Sequence, residues 1–165
     1  MRNQSDYDAF VTARQRHLQH LAYLLTGDWA AAEDLVQASL VKLWFAWRRV
    51  HGDPEPYVRR IMLTTFLSWR RRHWHREVST AVLPERLEVD VTAELDDRDA
   101  LWRALRALPP RQRAVLVLRY FEDLTQEQTA ATLGMNVGTV KSVTSRALGA
   151  LRDNDALRPM RESHR

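Results

Sequence analysis

The stretch TQEQTAATLGMNVGTVKSVTSRALGALR, residues 125–152, decides the fold of the second half of the chain. Thr125 followed three residues later by Gln128 forms a capping box, which predicts the start of a short helix. Gly134 permits a sharp turn after this helix, and Asn136 is suited to cap a second one. Two short helices joined by a glycine-containing turn predict a helix-turn-helix, the motif whose second helix enters the major groove of DNA.

The predicted outer face of the second helix carries short hydrogen-bond donors and cations. These residues are Thr139, Lys141, Ser142, Ser145 and Arg146. Such side chains contact bases and phosphates when a helix lies in the major groove. Helix pairs with a glycine turn also occur in ordinary bundles, so it is this outer face, rather than the turn, that favours DNA binding.

Upstream of the motif, the chain continues the same helical unit. One apolar stripe at helical spacing comprises Leu101, Leu105 and Leu108. Residues 111–121 are predicted to form a further helix, rich in valine and leucine. We therefore expect a four-helix domain over residues 96–153, followed by a polar tail over residues 154–165.

The first part of the chain, residues 1–76, has the periodicity of three helices. The first is predicted over residues 6–26, where Gly27 is a natural stop and Asp28 a natural cap for the second helix. The third begins near Pro56, since proline is tolerated in a first turn. Its apolar stripe comprises Val58, Ile61, Met62, Thr65 and Trp69.

The third helix is strongly basic, with six arginines and no acidic residue between Pro56 and Arg76. In the whole chain all but two of the 25 basic residues are arginines. Arginine binds phosphates and guanine edges bidentately, although a GC-rich genome would give the same bias. Phe66 and Trp74 lie off the apolar stripe, so we expect them to be exposed. There they would stack on unpaired bases, at roughly 1–3 kcal/mol per base.

Between the two helical parts, over residues 77–95, the periodicity weakens and the charge inverts. The acidic residues of this segment include Glu85, Glu88, Asp90 and Glu94. This composition predicts an acidic linker. The expected fold is therefore all-α, with a three-helix domain and a four-helix domain joined by the linker.

Composition excludes several classes of function. The chain has no cysteine, which excludes disulfides, thiol nucleophiles and cysteine-rich zinc sites. His17 and His20 lie three residues apart, but no further ligands are evident in the sequence, so we expect no metal and no cofactor. The absence of a glycine-rich phosphate loop and of a nucleophile elbow predicts no enzyme and no small-molecule substrate. No apolar run approaches the roughly 18 residues of a membrane span, and the first ten residues are polar, which predicts a cytoplasmic protein without membrane insertion.

Several strings of residues resemble the sigma factors of bacterial RNA polymerase, most closely the extracytoplasmic-function class. ALPPRQRAVLVLRYFEDLT at residues 107–125 and VGTVKS at residues 137–142 are similar to region four of that family. AEDLVQ at residues 32–37 resembles the region-two helix that docks on core polymerase. PYVRR at residues 56–60 and SWRRR at residues 68–72 resemble the segment that melts and reads the minus-10 element. The order and spacing of the strings are also those of the family.

The resemblance implies a factor that gives core RNA polymerase its promoter specificity and helps to melt the minus-10 region. It implies polymerase contacts at Asp34, Gln37, Lys42 and Trp44. It implies minus-10 contacts at His51, Tyr57, Arg59, Arg60, Thr64, Arg70 and Arg71, and minus-35 contacts along the outer face of the helix-turn-helix. Two positions depart from the family pattern, because Ala38 stands where glutamate often follows the docking motif and Thr64 stands where the family has asparagine. A packing role is the alternative for Trp44.

The implied partners are core RNA polymerase, promoter DNA and an anti-sigma factor. One alternative is a free-standing helix-turn-helix regulator whose N-terminal helices form a dimerisation or ligand domain. Such a regulator binds its duplex site alone, usually as a dimer on a palindrome. A second alternative is a helical adaptor that binds only proteins, but protein docking has no need of a basic helix free of acidic residues.

Overall fold

The computed structural model describes residues 2–79 and 97–154, and for residues 73–79 and 97–99 it describes the backbone alone. Throughout these residues the chain is helical and contains no strand, which confirms the all-α expectation. The helices are α1 (Gln4–Thr26), α2 (Trp29–Ala46), α3 (Glu55–Ser79), α4 (Asp97–Ala107), α5 (Pro110–Leu116), α6 (Gln126–Leu133) and α7 (Val137–Asp153). A 3₁₀ turn, Trp47–Arg49, follows α2, and a π-helical segment, Val117–Phe121, continues α5. Most of the expected acidic linker and the tail lie outside the described residues.

The local signals for helix ends are confirmed where the first two helices meet. Gly27 ends α1 in the left-handed region, at φ 70°. There a side chain would be strained, and a Cβ atom would also collide with the side chain of Arg106. Asp28 caps α2, since its carboxylate accepts hydrogen bonds from the backbone N–H groups of Ala30 and Ala31 at 3.3 and 3.2 Å. The chain therefore reverses between α1 and α2 with both helix ends satisfied.

Apolar faces of the first three helices form the main hydrophobic core. Its largest buried side chains include Leu18, Leu25, Leu35, Leu43, Trp47, Met62 and Phe66. The indole Nε1 of Trp47 also donates to the carbonyl of Asn3 at 2.9 Å, which anchors the start of α1. Buried Thr65 accepts a hydrogen bond from the ammonium group of Lys42 at 2.9 Å, so the polar member of the α3 stripe has a partner.

Two expectations about exposure were wrong. Phe66 was expected at the surface, yet only 2% of it is exposed. The expectation assumed that α3 buries one side, whereas α2 packs on one side of α3 and α5 and α6 pack on it as well. Leu101 was expected in the core, yet it is 42% exposed, because Ala100 and Ala104 take the inward positions of α4. The side chain of Trp74 lies outside the described part of the structure.

The two helical parts share one core, which the sequence did not indicate. Four residues that follow α4 belong to the same buried cluster as the first three helices: Ala114, Val117, Leu118 and Leu124. Tyr23 of α1 packs against Trp102 of α4, with ring centroids 4.4 Å apart. Because burial of apolar surface stabilises at about 25 cal/mol per Å², a shared core favours contact between the two parts over separation. In this structure, therefore, the chain is closed.

Candidate nucleic-acid and polymerase interfaces

The predicted helix-turn-helix is formed by α6 and α7. Its capping box is complete: the Gln128 N–H donates to the Thr125 hydroxyl at 3.0 Å, and the Thr125 N–H donates to Gln128 Oε1 at 2.9 Å. Gly134 ends α6 in the left-handed region at φ 64°, and Asn136 caps α7 two residues later. Small and β-branched side chains fill the angle between α5, α6 and α7; they are Val115, Ala130, Val140 and Val143. This packing fixes the direction in which α7 presents its outer face.

The predicted minus-35 residues lie on the side of α7 that faces away from this packing. Lys141, Ser142, Ser145 and Arg146 are exposed. Thr139 differs, because its hydroxyl donates to Asn136 Oδ1 at 2.8 Å and its N–H donates to the same oxygen at 2.7 Å. In this structure Thr139 therefore serves the helix cap, and the cations and serines after it are the groups available to a ligand.

The predicted minus-10 residues of α3 divide between two sides of the helix. Tyr57, Arg60, Thr64 and Arg71 recur at offsets of 0, 3, 7 and 14, which places them on one face. All four are exposed, Tyr57 by 43%. The hydroxyl of Thr64 donates back to the carbonyls of Arg60 and Ile61, at 2.8 and 3.1 Å. His51, in the loop before α3, is also exposed. We call the four α3 residues the α3 basic face.

Arg59 and Arg70 lie on the other side of α3. They are eleven residues apart, or three helical turns, and so lie one above the other. The side chain of Arg59 is only 13% exposed, and its Nε donates to Glu122 Oε2 at 2.9 Å. Arg70 lies beside the ring of Phe66, with its guanidinium carbon 5.9 Å from the ring centroid. In the closed chain, therefore, these two arginines are not on the face that carries the other four residues.

The predicted polymerase residues are also divided. Asp34 and Gln37 are exposed on α2. Lys42 lies to one side of them, and its ammonium group is hydrogen-bonded to the buried Thr65 of α3. Trp44 combines both alternatives, because its ring packs edge-on against Tyr7 at 4.9 Å while 43% of the residue remains exposed.

Sequence reasoning missed two apolar residues on the same face of α2. Val41 is 54% exposed and Phe45 is 75% exposed. With Asp34 and Gln37 they stand at offsets of 0, 3, 7 and 11, so the four residues form one continuous strip, which we call the α2 strip. The signal was present in the sequence as apolar residues outside the core spacing of α2. Large exposed apolar residues in a row mark an interaction surface.

An ion-pair cluster joins the two helical parts at the ends of α3 and of the π-helical segment. Glu122 accepts from Arg59 and lies 2.6 Å from His17 Nε2. Glu55 accepts two hydrogen bonds from Arg14, at 2.8 and 2.6 Å, and these bonds raise the pKa of Arg14. His17 thus has carboxylate neighbours that the sequence did not reveal, and the possible ligand atoms of His17, Glu55 and Glu122 lie within 4.8 Å of one another. Because an arginine already neutralises each carboxylate, we describe the group as an ion-pair cluster.

Comparison with known proteins agrees with this arrangement. The family model for sigma-70 region 2 matches residues 10–76, and the model for sigma-70 region 4 matches residues 98–151. The RNA polymerase sigma-E factor of Streptomyces coelicolor is 39% identical over 150 residues, which cover 90% of this chain and 85% of that protein. The ECF RNA polymerase sigma factor SigE of Mycolicibacterium smegmatis is 32% identical, over 89% of this chain and 60% of that protein.

A solved structure also resembles the closed chain. It is that of the sigma factor RpoE from Bartonella quintana, solved in complex with the anti-sigma factor NepR. The likeness has a TM-score of 0.73 and 26% identity, and it covers 90% of this chain and 95% of that one.

The chain therefore belongs to the sigma-70 family of RNA polymerase sigma factors, in its extracytoplasmic-function group. It is a transcription initiation factor that confers promoter specificity on RNA polymerase, and its sigma domains bind core polymerase and promoter DNA. Within residues 2–79 and 97–154, no helix combines the length and the apolar character that crossing a membrane requires.

Proposed function

We propose that the two halves of this sigma factor have separate tasks. Residues 1–76 dock on core polymerase through the α2 strip and bind the minus-10 element through the α3 basic face and His51. Residues 96–153 read the minus-35 element through the outer face of α7, and residues 77–95 connect the two. The observation that supports this division most strongly is that the α2 strip and the α3 basic face are both exposed on the first half, on different helices.

The α2 strip has the composition of a protein-docking surface. Val41 and Phe45 supply apolar area, while Asp34 and Gln37 supply polar groups that fix the orientation of a partner. Interfaces of this kind draw most of their affinity from a few large side chains near the centre. We therefore assign most of the docking energy to Phe45 and Val41, and assign orientation to Asp34 and Gln37.

The α3 basic face has the composition of a single-strand binding surface. Arg60 and Arg71 would contact phosphates, and Tyr57 offers an exposed ring on which a base could stack. Since no nucleotide is consumed, opening the duplex must draw on binding of the unpaired strand. Stacking gives roughly 1–3 kcal/mol per base, against a few kcal/mol to extrude a base. Because Phe66 is buried, the stacking role assigned to it from the sequence passes to Tyr57.

Binding both promoter elements requires the closed chain to open. The minus-10 and minus-35 elements lie about 25 base pairs apart, or about 85 Å of duplex at about 3.4 Å per base pair. A compact body of about 150 residues has a radius of gyration near ~15 Å, too small to reach both. The seventeen residues 80–96 can span at most about 60 Å when extended, so the halves can separate widely without unfolding.

The remaining assignments follow from the same surfaces. The factor carries no catalysis of its own and acts in the cytoplasm, where core polymerase performs the chemistry. The Bartonella quintana relative was solved with an anti-sigma factor. An anti-sigma protein that covered Val41 and Phe45 would keep polymerase away from the α2 strip, and we expect such a partner to bind there.

Melting can be separated from binding by template design. We expect holoenzyme that carries Tyr57→Ala to lose most transcription from a duplex promoter selected by the wild-type holoenzyme. We expect it to recover on the same promoter when the minus-10 region is mismatched and already open. Tyr120→Ala, which removes a tyrosine that is 59% exposed in the second half, is the matched control. A Tyr57→Ala defect that persists on the open template would contradict a role in melting.

A further inference from the structure

Glu122 is a buried carboxylate at the seam between the two halves of the chain. Its side chain is 3% exposed. One oxygen lies 2.6 Å from His17 Nε2 and the other accepts from Arg59 Nε at 2.9 Å. Both partners belong to the first half, 105 and 63 residues away in the sequence. One side chain of the second half therefore bonds two helices of the first.

The residues around Glu122 make its position specific. The ring of Phe121 stacks on His17, with centroids 5.6 Å apart and planes 13° apart. Leu124 is buried in the shared core, and its N–H donates to the carbonyl of Leu118 at 3.0 Å. Asp123, between them, adopts φ 53°, a left-handed conformation that aspartate tolerates better than most residues. The backbone is thus anchored on both sides of Glu122, and its carboxylate is directed at Arg59.

The charges that face Glu122 explain why it can be buried. Arg59 supplies one positive charge, and Arg59 also lies 4.0 Å from Glu55. Glu55 is in turn held by Arg14 and lies 3.9 Å from His17. The two carboxylates are thus balanced by two guanidinium groups, with the imidazole between them. Removal of one partner leaves a buried charge without compensation, which is the costly case.

Arg59 cannot serve Glu122 and DNA together. A guanidinium binds a carboxylate and a phosphate through the same N–H groups. Arg59 comes from the PYVRR string that resembles the minus-10 segment, and its side chain is 13% exposed while Glu122 holds it. The carboxylate of Glu122 thus stands where a phosphate oxygen would bind.

We propose that Glu122 is an intramolecular latch, which competes with the promoter strand for Arg59 and holds the free sigma factor closed. Polymerase binding, by separating the two halves, releases Arg59 for DNA at the moment when DNA is to be bound. The latch rests on the proposed role of the first half in binding the minus-10 strand. It explains how a free chain with exposed basic residues avoids engaging nucleic acid on its own.

The direct test measures closure and DNA binding in the free, full-length chain. Dyes placed at exposed positions on α2 and α7 report the separation of the halves by energy transfer. Anisotropy of a labelled minus-10 single strand reports binding. We expect Glu122→Gln to raise the open population and the single-strand affinity by about tenfold, the effect of losing one charge-assisted hydrogen bond. Glu127→Gln, an exposed acidic residue on α6, is the matched control and should change neither.

A charge exchange guards against a trivial loss of folding. The double variant Glu122→Arg with Arg59→Glu should restore the closed separation, because it rebuilds the pair in reverse, while single-strand binding stays weak. Wild-type energy transfer and affinity in a folded Glu122→Gln chain would overturn the latch. Failure of the wild-type chain to join polymerase would instead overturn the proposed function and leave the closure measurement standing.

Discussion

The guanidinium of Arg113 donates a hydrogen bond to the carbonyl oxygen of Leu25 at 2.6 Å, and so links α5 to the last turn of α1. Its other N–H groups reach the carbonyls of Leu105, Arg106 and Leu108, at 2.8, 3.0 and 3.0 Å. Burial lowers the pKa of Arg113 to about 10, and the nearby charges of Arg70 and Arg106 act in the same direction. The side chain is still a cation at neutral pH, where carbonyls at helix ends stabilise it.

We therefore expect Arg113→Met to destabilise the chain by about 3 kcal/mol, because four carbonyls lose a charged donor while remaining buried. Urea unfolding, followed by circular dichroism, measures the loss. Arg111→Met, an exposed position on the same helix, should change the free energy of unfolding by less than about 0.5 kcal/mol. Equal effects of the two substitutions would mean that Arg113 does not link the helices.

The burial of Phe66 gives a second test of stability. Phe66→Ala should cost about 3–5 kcal/mol, as is usual when a buried aromatic ring is removed. Tyr57→Ala, on the exposed face of the same helix, should cost less than about 0.5 kcal/mol. Thermal unfolding of the two variants distinguishes the positions. A stable Phe66→Ala chain would show that the ring is at the surface, as the periodicity of α3 had suggested.

Promoter selection should depend on the outer face of α7. Changing Lys141 and Arg146 to alanine should weaken holoenzyme binding to a minus-35 duplex, because each side chain that no longer reaches a base or phosphate costs about 1–3 kcal/mol. Arg152→Ala, in the last turn of α7, is the matched control. Assembly with core polymerase should be unchanged in all of these variants. Weakened assembly in the Lys141 and Arg146 variant would contradict the assignment of α7 to DNA.

Polymerase docking should depend on the α2 strip. Changing Val41 and Phe45 to serine, or Asp34 and Gln37 to alanine, should reduce affinity for core polymerase, with the larger loss in the apolar pair. Each centrally placed large side chain is worth about 1–2 kcal/mol or more at such interfaces. Competition with labelled wild-type chain measures the affinity. Glu33→Ala, exposed on the same helix about 100° away from Asp34, is the control and should compete as the wild type does.

Local signals predicted the helices well because the residues that cap them act on their nearest neighbours. Gly27, Asp28, Thr125, Gly134 and Asn136 all behave in the structure as their positions predicted. The packing of the two halves was not predictable, because it depends on which residues meet across more than sixty positions of sequence. Glu122 looked like an ordinary surface acid, and Arg59 looked like one more DNA-facing arginine.

The same limit explains the wrong expectations about exposure. Phe66 falls off the stripe that α3 turns toward α2, and only its packing with the second half makes it a core residue. Val41 and Phe45 were missed for the opposite reason, since attention to the core spacing of α2 passed over apolar residues that have no partner within the chain. A pattern that identifies one buried face says little about the others.

The most direct test of the central claim is to mix the purified chain with bacterial core RNA polymerase and separate the products by gel filtration. A sigma factor should co-elute with the polymerase at one copy per enzyme, and the α2 variants should not. If the wild-type chain forms no complex, but binds a palindromic duplex tightly by itself as a dimer, the chain is a free-standing regulator and this account of its function is wrong.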